Sequence, residues 1–302
     1  MQGKNGDGAL CESDGGRMKS NINQSVKDQL KNLARSSGRD YNFVSIQYMH
    51  ERFLARLEKS EFKGRFILKG ALLLLAYKMP RVRPTKDIDF LGNHLPNQTA
   101  EIESMIRQIT EIDLEDGVKF YGDKIELNEI TKDADYSGFR VRLTASVGED
   151  HQRLQIDIGF GDIIVHGPVE MSYPSMLDFE PPKVNAYSLE SAIAEKLQAI
   201  VSLGIFGSRM KDFYDIWFLT RNKQFDKDRL TKAIETTFKR RNTDIGDIKI
   251  IFEDEFIKDA NKARQWKAFM RRTTIEDQVN FEAVMEDLKV YFSKDLNLVK
   301  FS

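Results

Sequence analysis

The sequence predicts an α+β protein: a mixed β-sheet core with flanking helices, followed by a helical C-terminal domain. Three observations predict it. Apolar and polar side chains alternate over 119–130, 138–146 and 154–160, the period of two that a half-buried strand requires. On both sides of that block apolar residues recur at three- and four-residue steps, the period of an amphipathic helix. Pro181-Pro182 then separates the strand-rich stretch from a run in which helical periodicity dominates.

Each element follows in order. Residues 1–17 are rich in Gly, Asp and Ser without an apolar stretch, so they read as a disordered leader, with Met18 as the natural start. From 21 to 59, Val26, Leu30 and Leu33, then Ile46, Met49, Phe53 and Leu57, mark two helices divided at Ser36-Ser37-Gly38-Arg39-Asp40. Phe66-Ile67-Leu68 is a short strand running through Lys69-Gly70 into an apolar helix over 71–78. Pro80 and Pro84 bracket a basic loop, and Asp87 to Leu91 follows as a strand. Residues 99–112 are helical, as are 188–203, 209–220, 227–240 and 276–293. The expected division is a leader over 1–17, N-terminal helices over 18–61, a sheet core over 62–180 and helices over 181–302.

Bulk composition narrows the function classes. The chain has 302 residues, 41% hydrophobic and 31% charged, enough for two domains of ordinary size. A formal net charge of −1 gives no global attraction to nucleic acid or an acidic membrane, so any anion site must be local. Cys11 is the sole cysteine, which excludes a disulfide framework and a cysteine zinc site and fits a reducing cytoplasm. The histidines, His50, His94, His151 and His166, lack paired metal-ligand spacing. No apolar run approaches the ~20 residues of a spanning helix, so a cytoplasmic protein without a membrane partner is expected.

The chemistry concentrates in acidic pairs with cations beside them. In Asp87-Ile88-Asp89-Phe90-Leu91 alternate residues of an extended strand share a face, so both aspartates point one way and Ile88 and Phe90 the other. Two like charges so close are made tolerable by a divalent cation or a cluster of basic groups. An exposed edge strand with a solvated pair of aspartates is the competing reading. Gly70 sits at a strand-to-helix turn, where glycine permits close approach of backbone to a phosphate and also serves ordinary packing. Lys78, Arg81, Arg83 and Lys86, with Thr85 among them, precede Asp87; such a run is a solvated loop or the cationic wall of a polyphosphate site. Asp157 in Gln155-Ile156-Asp157-Ile158-Gly159 supplies a third strand-borne carboxylate, suited to complete a cation site and to take a proton. Asp162, after Gly159-Phe160-Gly161, reads as a turn residue.

Two later helices add a charge cluster. Lys196 falls within the apolar stripe of Leu189, Ile193, Leu197 and Ile200, where a lysine needs a partner or must snorkel outward. Asp212 and Asp215 share a face with Ile216 and Leu219, and Lys196, Lys211 or Arg209 can neutralise them. A structural ion-pair network and a catalytic role both remain open for this cluster.

Together, Phe66-Ile67-Leu68-Lys69-Gly70, Arg83-Pro84-Thr85-Lys86-Asp87-Ile88-Asp89-Phe90, Ile156-Asp157-Ile158, Ala194-Glu195-Lys196-Leu197 and Arg209-Met210-Lys211-Asp212-Phe213-Tyr214-Asp215 resemble the AbiEii/AbiGii nucleotidyltransferase toxin family. The resemblance covers roughly residues 20 to 240. It implies a mixed β-sheet nucleotidyltransferase core of the polymerase-beta-like kind with flanking helices and a helical C-terminal domain. The implied activity is transfer of a nucleotide from a nucleoside triphosphate, with Mg²⁺ or Mn²⁺, to an RNA such as a tRNA 3′ end or to a protein acceptor. The implied setting is the toxin of a bacterial toxin-antitoxin or phage-defence pair, with a cognate antitoxin protein as partner. Asp87 and Asp89 would be metal ligands with Asp157, and Lys196 with Asp212 or Asp215 would complete the catalytic set, one of those acids serving as base in place of Asp157. Lys69, Gly70, Arg83, Thr85, Lys86, Lys196 and Arg209 would hold the triphosphate. One departure bears on this: the family's first motif usually reads Gly-Gly or Gly-Ser followed by a small or hydroxyl residue, whereas here Gly70 is followed by Ala71 and Leu72. The alternatives are therefore a non-catalytic nucleotide- or RNA-binding module of degenerate fold and a kinase-like phosphotransferase sharing the metal site. Residues 241–302, with Trp266, Phe269 and Phe281, read as helical packing that shapes an acceptor groove.

Overall fold

The computed structural model describes residues 13–77, 85–96, 98–132, 136–273 and 279–298. Two helices open it, α1 (Ser13–Ser37) and α2 (Tyr41–Lys59). The break between them is where the sequence puts it: Gly38 takes φ +64°, and Asp40 caps α2 by accepting a hydrogen bond from the Phe43 amide at 3.1 Å. Helix α1 starts at Ser13, inside the segment expected to be a leader; residues 1–12 lie outside the described chain.

Among the described residues the sheet has seven strands: β1 (Phe66–Lys69), β2 (Asp87–Gly92), β3 (Val118–Lys132), β4 (Tyr136–Val147), β5 (Asp150–Gly159), β6 (Val169–Ser172) and β7 (Lys183–Ala186). Their order is β3-β4-β5-β2-β1-β7-β6, with β2 parallel to β5, β1 parallel to β7, and the other neighbours antiparallel. The sheet is therefore mixed, as the alternation predicts. Strands β6 and β7 are the additions. Four residues each is too short for a visible period, and β7 lies just past Pro181-Pro182, where the sequence suggests that the sheet has ended. Val184 and Ala186 are nonetheless buried, because Ala186 comes opposite Leu68 on β1 and carries the sheet across that boundary.

Between β1 and β2 lies α3 (Gly70–Ala76), and α4 (Thr99–Glu111) buries Ile102, Met105, Ile106 and Ile109 at steps of three and four. The C-terminal part holds α5 (Leu189–Leu203), α6 (Met210–Asn222), α7 (Lys227–Arg240), α8 (Asp254–Ile257), α9 (Ala260–Arg272) and α10 (Phe281–Val290). No described helix is long and apolar enough to cross a membrane. One hydrophobic core runs from Val26 through the sheet to Ala192; a second runs from Ile193 to Leu296 and takes in Leu74 of α3. Helix α9 was hidden from periodicity because its buried stripe is Lys262, Trp266 and Met270. Lys262 is buried among apolar groups, donating to the carbonyl of Gly207 and lying over the Phe256 ring.

His50 on α2 is fully buried beside the backbone of Lys86. Burial lowers its pKa to about 4, the Lys86 backbone pulling weakly the other way. A folded-state value below the ordinary one of about 6.5 gives stability that is complete above pH 6.5 and is lost as the pH falls toward 4. Between pH 6.5 and 5 this amounts to about 1.5 kcal/mol. Urea midpoints at the two pH values should show that loss in the wild type and a smaller one in His50→Leu.

Candidate active site

The site begins with strand alternation. Ile88 and Phe90 are buried in the sheet core, which turns Asp87 and Asp89 to the opposite face. Strand β5 runs parallel to β2 in a register that sets Asp157 opposite Asp89, so the third carboxylate emerges beside the first two. All three line one cleft of about 400 Å³ between the sheet and helices α5 and α6. Lys69, Gly70, Thr85, Lys196, Arg209, Lys211 and Asp212 line it too. Residues 125 positions apart, Asp87 to Asp212, thus share one cavity.

Lys196 enters from α5 and donates to Asp212 Oδ1 and Asp215 Oδ2, each at 2.7 Å. Arg209 donates to the other Asp212 oxygen at 3.3 Å. Burial pushes the Asp212 carboxyl up, but the Lys196 charge and its hydrogen bond outweigh that and hold it below the usual range. A depressed folded-state value means stability that is present above the ordinary carboxylate range and lost as the pH falls through the lowered one. Lys196→Met should cost about 3 kcal/mol at pH 7 by removing the cation that two largely buried acids share, leaving Asp212 only its longer bond to Arg209. In urea titrations that deficit should narrow below pH 5, where the orphaned acids take up protons.

Lys69 sits in a second cluster. Its ammonium donates to Asp162 Oδ2 at 2.9 Å and Glu195 Oε1 at 2.8 Å, and Arg241 donates to both acids at 2.9 Å. Tyr187 adds a hydrogen bond to Asp162 at 3.3 Å. Burial works against the charged lysine, yet the charges of Glu195 and Asp162, with the hydrogen bond to Glu195, hold it well above its ordinary pKa. Lys69 therefore lines the cleft with its charge already matched. Asp162, read from sequence as a turn residue, lies in an irregular segment after Gly161 (φ +87°), where no turn is assigned, and is a centre of this cluster. Glu195 and Arg241 were not singled out. Glu195 is one residue before Lys196, and nothing in a local pattern links it to Lys69, 126 positions away.

The remaining expected residues divide. Thr85 is buried and its hydroxyl donates to the Asp87 carbonyl at 3.1 Å, which fixes the entry into β2. Gly70 takes φ +70° and brings the β1–α3 turn against Asp89. Lys86 is exposed and is not among the cleft-lining residues, and Arg83 lies outside the described residues.

Arg140 on β4 is the unforeseen member. It donates from Nε to Asp157 Oδ1 at 2.9 Å and from Nη2 to Oδ2 at 2.8 Å. The hydrogen bond to Asp157 raises its pKa against the effect of burial, and the charges of Asp157, Asp87 and Asp89 add to it. A signal for it existed. The two-residue turn Gly148-Glu149, with Gly148 at φ +59°, pairs Val147 with Asp150, and counting back along the hairpin pairs Arg140 with Asp157.

The donor set fits a divalent cation in part. Asp87 and Asp89 offer hard carboxylate oxygens side by side, and Mg²⁺ is commonly held by one or two carboxylates with water and substrate phosphate filling the octahedron. Asp157 has both oxygens on a guanidinium. Among the described residues no three His, Cys, Asp or Glu side chains gather closely enough to hold an ion by themselves.

Comparison with known proteins bears on the family. Two solved structures resemble the chain, each at 16% identity over 85% of it: JHP933 from Helicobacter pylori, covered over 94% of its length with TM-score 0.49, and a candidate nucleotidyltransferase of H. pylori, covered over 97% with TM-score 0.50. No curated protein matches. The family described as nucleotidyl transferase AbiEii toxin, type IV toxin-antitoxin system, matches residues 52–287. That span takes in every strand and the cleft, and the chain belongs to the AbiEii family of nucleotidyltransferase toxins.

Proposed function

We propose that this chain transfers a nucleoside monophosphate from a nucleoside triphosphate to a hydroxyl at the end of an RNA, using a divalent cation, and that a cognate antitoxin protein restrains it inside the bacterial cell. The observation that carries the reading is the convergence of Asp87, Asp89 and Asp157 on one face of the sheet, opposite Lys196 and Asp212 across a single cleft. An oxygen of the acceptor hydroxyl attacks the α-phosphorus, the bond from phosphorus to the bridging oxygen breaks, and pyrophosphate leaves with that electron pair. A cation held by Asp87 and Asp89, Mg²⁺ or Mn²⁺, would polarise the phosphoryl oxygens and offset charge on the pyrophosphate.

The chain's own side chains do the rest. Lys196, fixed by two aspartates, presents a rigid positive edge to the phosphates. Arg209 and Lys211 line the same wall and suit the outer phosphates or the acceptor backbone. Asp212 is held below the usual carboxylate range and is a weak base, while Asp157 and Asp215 have oxygens engaged by Arg140 and Lys196, so the acceptor proton passes to water in the open cleft. Phe206 supports an RNA acceptor: it is 95% exposed on the turn three residues before Arg209, where a base can stack on its face.

The test supplies each triphosphate in turn, labelled at the α-phosphate, to total RNA and total protein with Mg²⁺. Label in RNA from one or two of the four triphosphates is expected. Label in protein alone would overturn the RNA acceptor, transfer of a γ-label would indicate a phosphotransferase, and no label in either would end the catalytic reading.

A further inference from the structure

We propose that the solvent face of α9, carrying Arg264, Lys267 and Arg271, holds the sugar-phosphate backbone of a double-helical stem in the acceptor RNA, while Phe206 stacks on the unpaired base where the strand turns into the cleft. The meaning of this surface rests on the RNA-acceptor reading, though its measurement begins without turnover.

Charge is the first observation. The chain as a whole is balanced, with 46 basic side chains against 47 acidic, so it has no general attraction to nucleic acid. Helix α9 departs from that balance, with five cations and no acid between Ala260 and Arg272. Lys262, Trp266 and Met270 are buried at steps of four, which leaves Arg264, Lys267 and Arg271 at steps of three and four on one exposed stripe. At about 1.5 Å of rise per residue that stripe spans about 10 Å. Among the described residues none of the three forms an ion pair, and Arg264 donates to Asn261 on its own helix. A basic stripe by itself is ordinarily a solvated surface. Its attachment decides otherwise here.

In the first turn of α9 the buried Lys262 donates to the Gly207 carbonyl, with the Gly204 carbonyl at 3.5 Å, and so ties the helix to the loop between α5 and α6. Phe206 lies on that loop, almost fully exposed, and Arg209, three residues on, lines the cleft with Lys211. Farther along, Trp266 and Phe269 pack on Tyr214 with ring centroids 6.5 and 6.0 Å away, so α9 runs beside α6, the helix that carries Asp212 and Asp215. A strand leaving the cleft past Arg209 and Phe206 therefore meets α9 next. The stripe offers charge without an exposed ring: Trp266 is buried and Phe269 half-buried against Tyr214. Single strands are held by stacking platforms, whereas a duplex keeps its bases inside and presents phosphates, which is what evenly stepped cations on a convex helix match. The exposed ring, Phe206, stands instead at the cleft end, where the strand is unpaired.

The test measures binding of the full chain, by fluorescence anisotropy over a salt series, to an RNA hairpin with a short unpaired 3′ end and to the same 3′ end as a single strand. Arg264→Gln/Lys267→Gln/Arg271→Gln, at exposed positions where glutamine suits a helix, should bind the single strand as the wild type does. It should bind the hairpin about tenfold or more weakly, with a slope of log affinity against log salt reduced by about 2 to 3, near one for each phosphate contact removed. Phe206→Ala should weaken both RNAs about tenfold, and Arg107→Gln on α4 should weaken neither. Unchanged hairpin affinity and slope in the triple variant, or an equal loss for hairpin and single strand, would overturn the proposal. A triple variant that keeps the hairpin but loses poly-glutamate would assign the face to an acidic protein and overturn it as well. Should the triple variant fail to fold, Lys267→Gln alone decides: a hairpin slope reduced by about 1 supports the proposal, and an unchanged slope overturns it. A chain that holds the hairpin through α9 but labels no RNA would leave this inference standing while removing the transfer reading, and RNA labelling with an unchanged hairpin KM in the triple variant would do the reverse.

Discussion

Asp87→Asn/Asp89→Asn should transfer nucleotide at about one-thousandth of the wild-type rate or less, while unfolding in urea at an unchanged or slightly higher midpoint. The rate follows from removing the two oxygens offered to a cation whose electrostatic contribution to such a transition state is several kcal/mol, and about 4 kcal/mol is a thousandfold. The stability follows from where the groups sit. Both are only half-buried on the cleft face, while the strand is anchored by Ile88 and Phe90 beneath it. Asparagine keeps the volume, so no cavity opens, and relief of the repulsion between two neighbouring carboxylates offsets their lost attraction to Arg140. Initial rates of α-phosphate labelling, with circular dichroism and urea titration on the same samples, separate the effects. Equal labelling by variant and wild type would remove the cation from Asp87 and Asp89 altogether.

How much of this was legible beforehand depends on whether the governing interaction is local. The β2 aspartates and Asp157 were visible because a strand has a period of two and the intervening residues are apolar. Lys196, Asp212 and Asp215 were visible because a charged side chain on an apolar helical face needs a partner, and here the partners lie on the next helix at 2.7 Å. The β6–β7 pair was not, because four residues carry no period, and the prolines before β7 read as an end when they lie in the connection between two strands of the sheet. The Lys69–Asp162–Glu195–Arg241 cluster was not either. It joins β1, the loop after β5, α5 and the end of α7, with 93 positions separating Lys69 from Asp162, and nothing in a single chain signals contacts of that range. Lys262 shows the opposite failure, a charged residue that hides a helix by standing where an apolar one is expected.

Gly70 joins the local and the non-local arguments. A strand-to-helix turn explains a glycine there, but the structure demands one twice over. The backbone is left-handed, at φ +70°, which costs a residue with a side chain about 1–2 kcal/mol. A methyl group would also stand 2.2 Å from Asp89 Oδ2 and 2.8 Å from its Cβ and Cγ, far inside contact distance. Asp89 is held on β2 opposite Lys69 on one side and Asp157 on the other, so relief must come from turning its carboxylate away or shifting the turn. Gly70→Ala should therefore lose about 2–4 kcal/mol of stability from the backbone and the overpacking together. Its transfer rate should fall about a hundredfold, because displacing a reacting-site group by an ångström costs on that order. The neighbouring Ala71 gives the control: Ala71→Ser adds a hydroxyl at an ordinary helical position and should leave stability within about 0.5 kcal/mol. Urea midpoints and initial rates on the two variants test the argument. A Gly70→Ala protein with wild-type rate would mean that Asp89 moves without consequence, and then the turn serves packing and not the site.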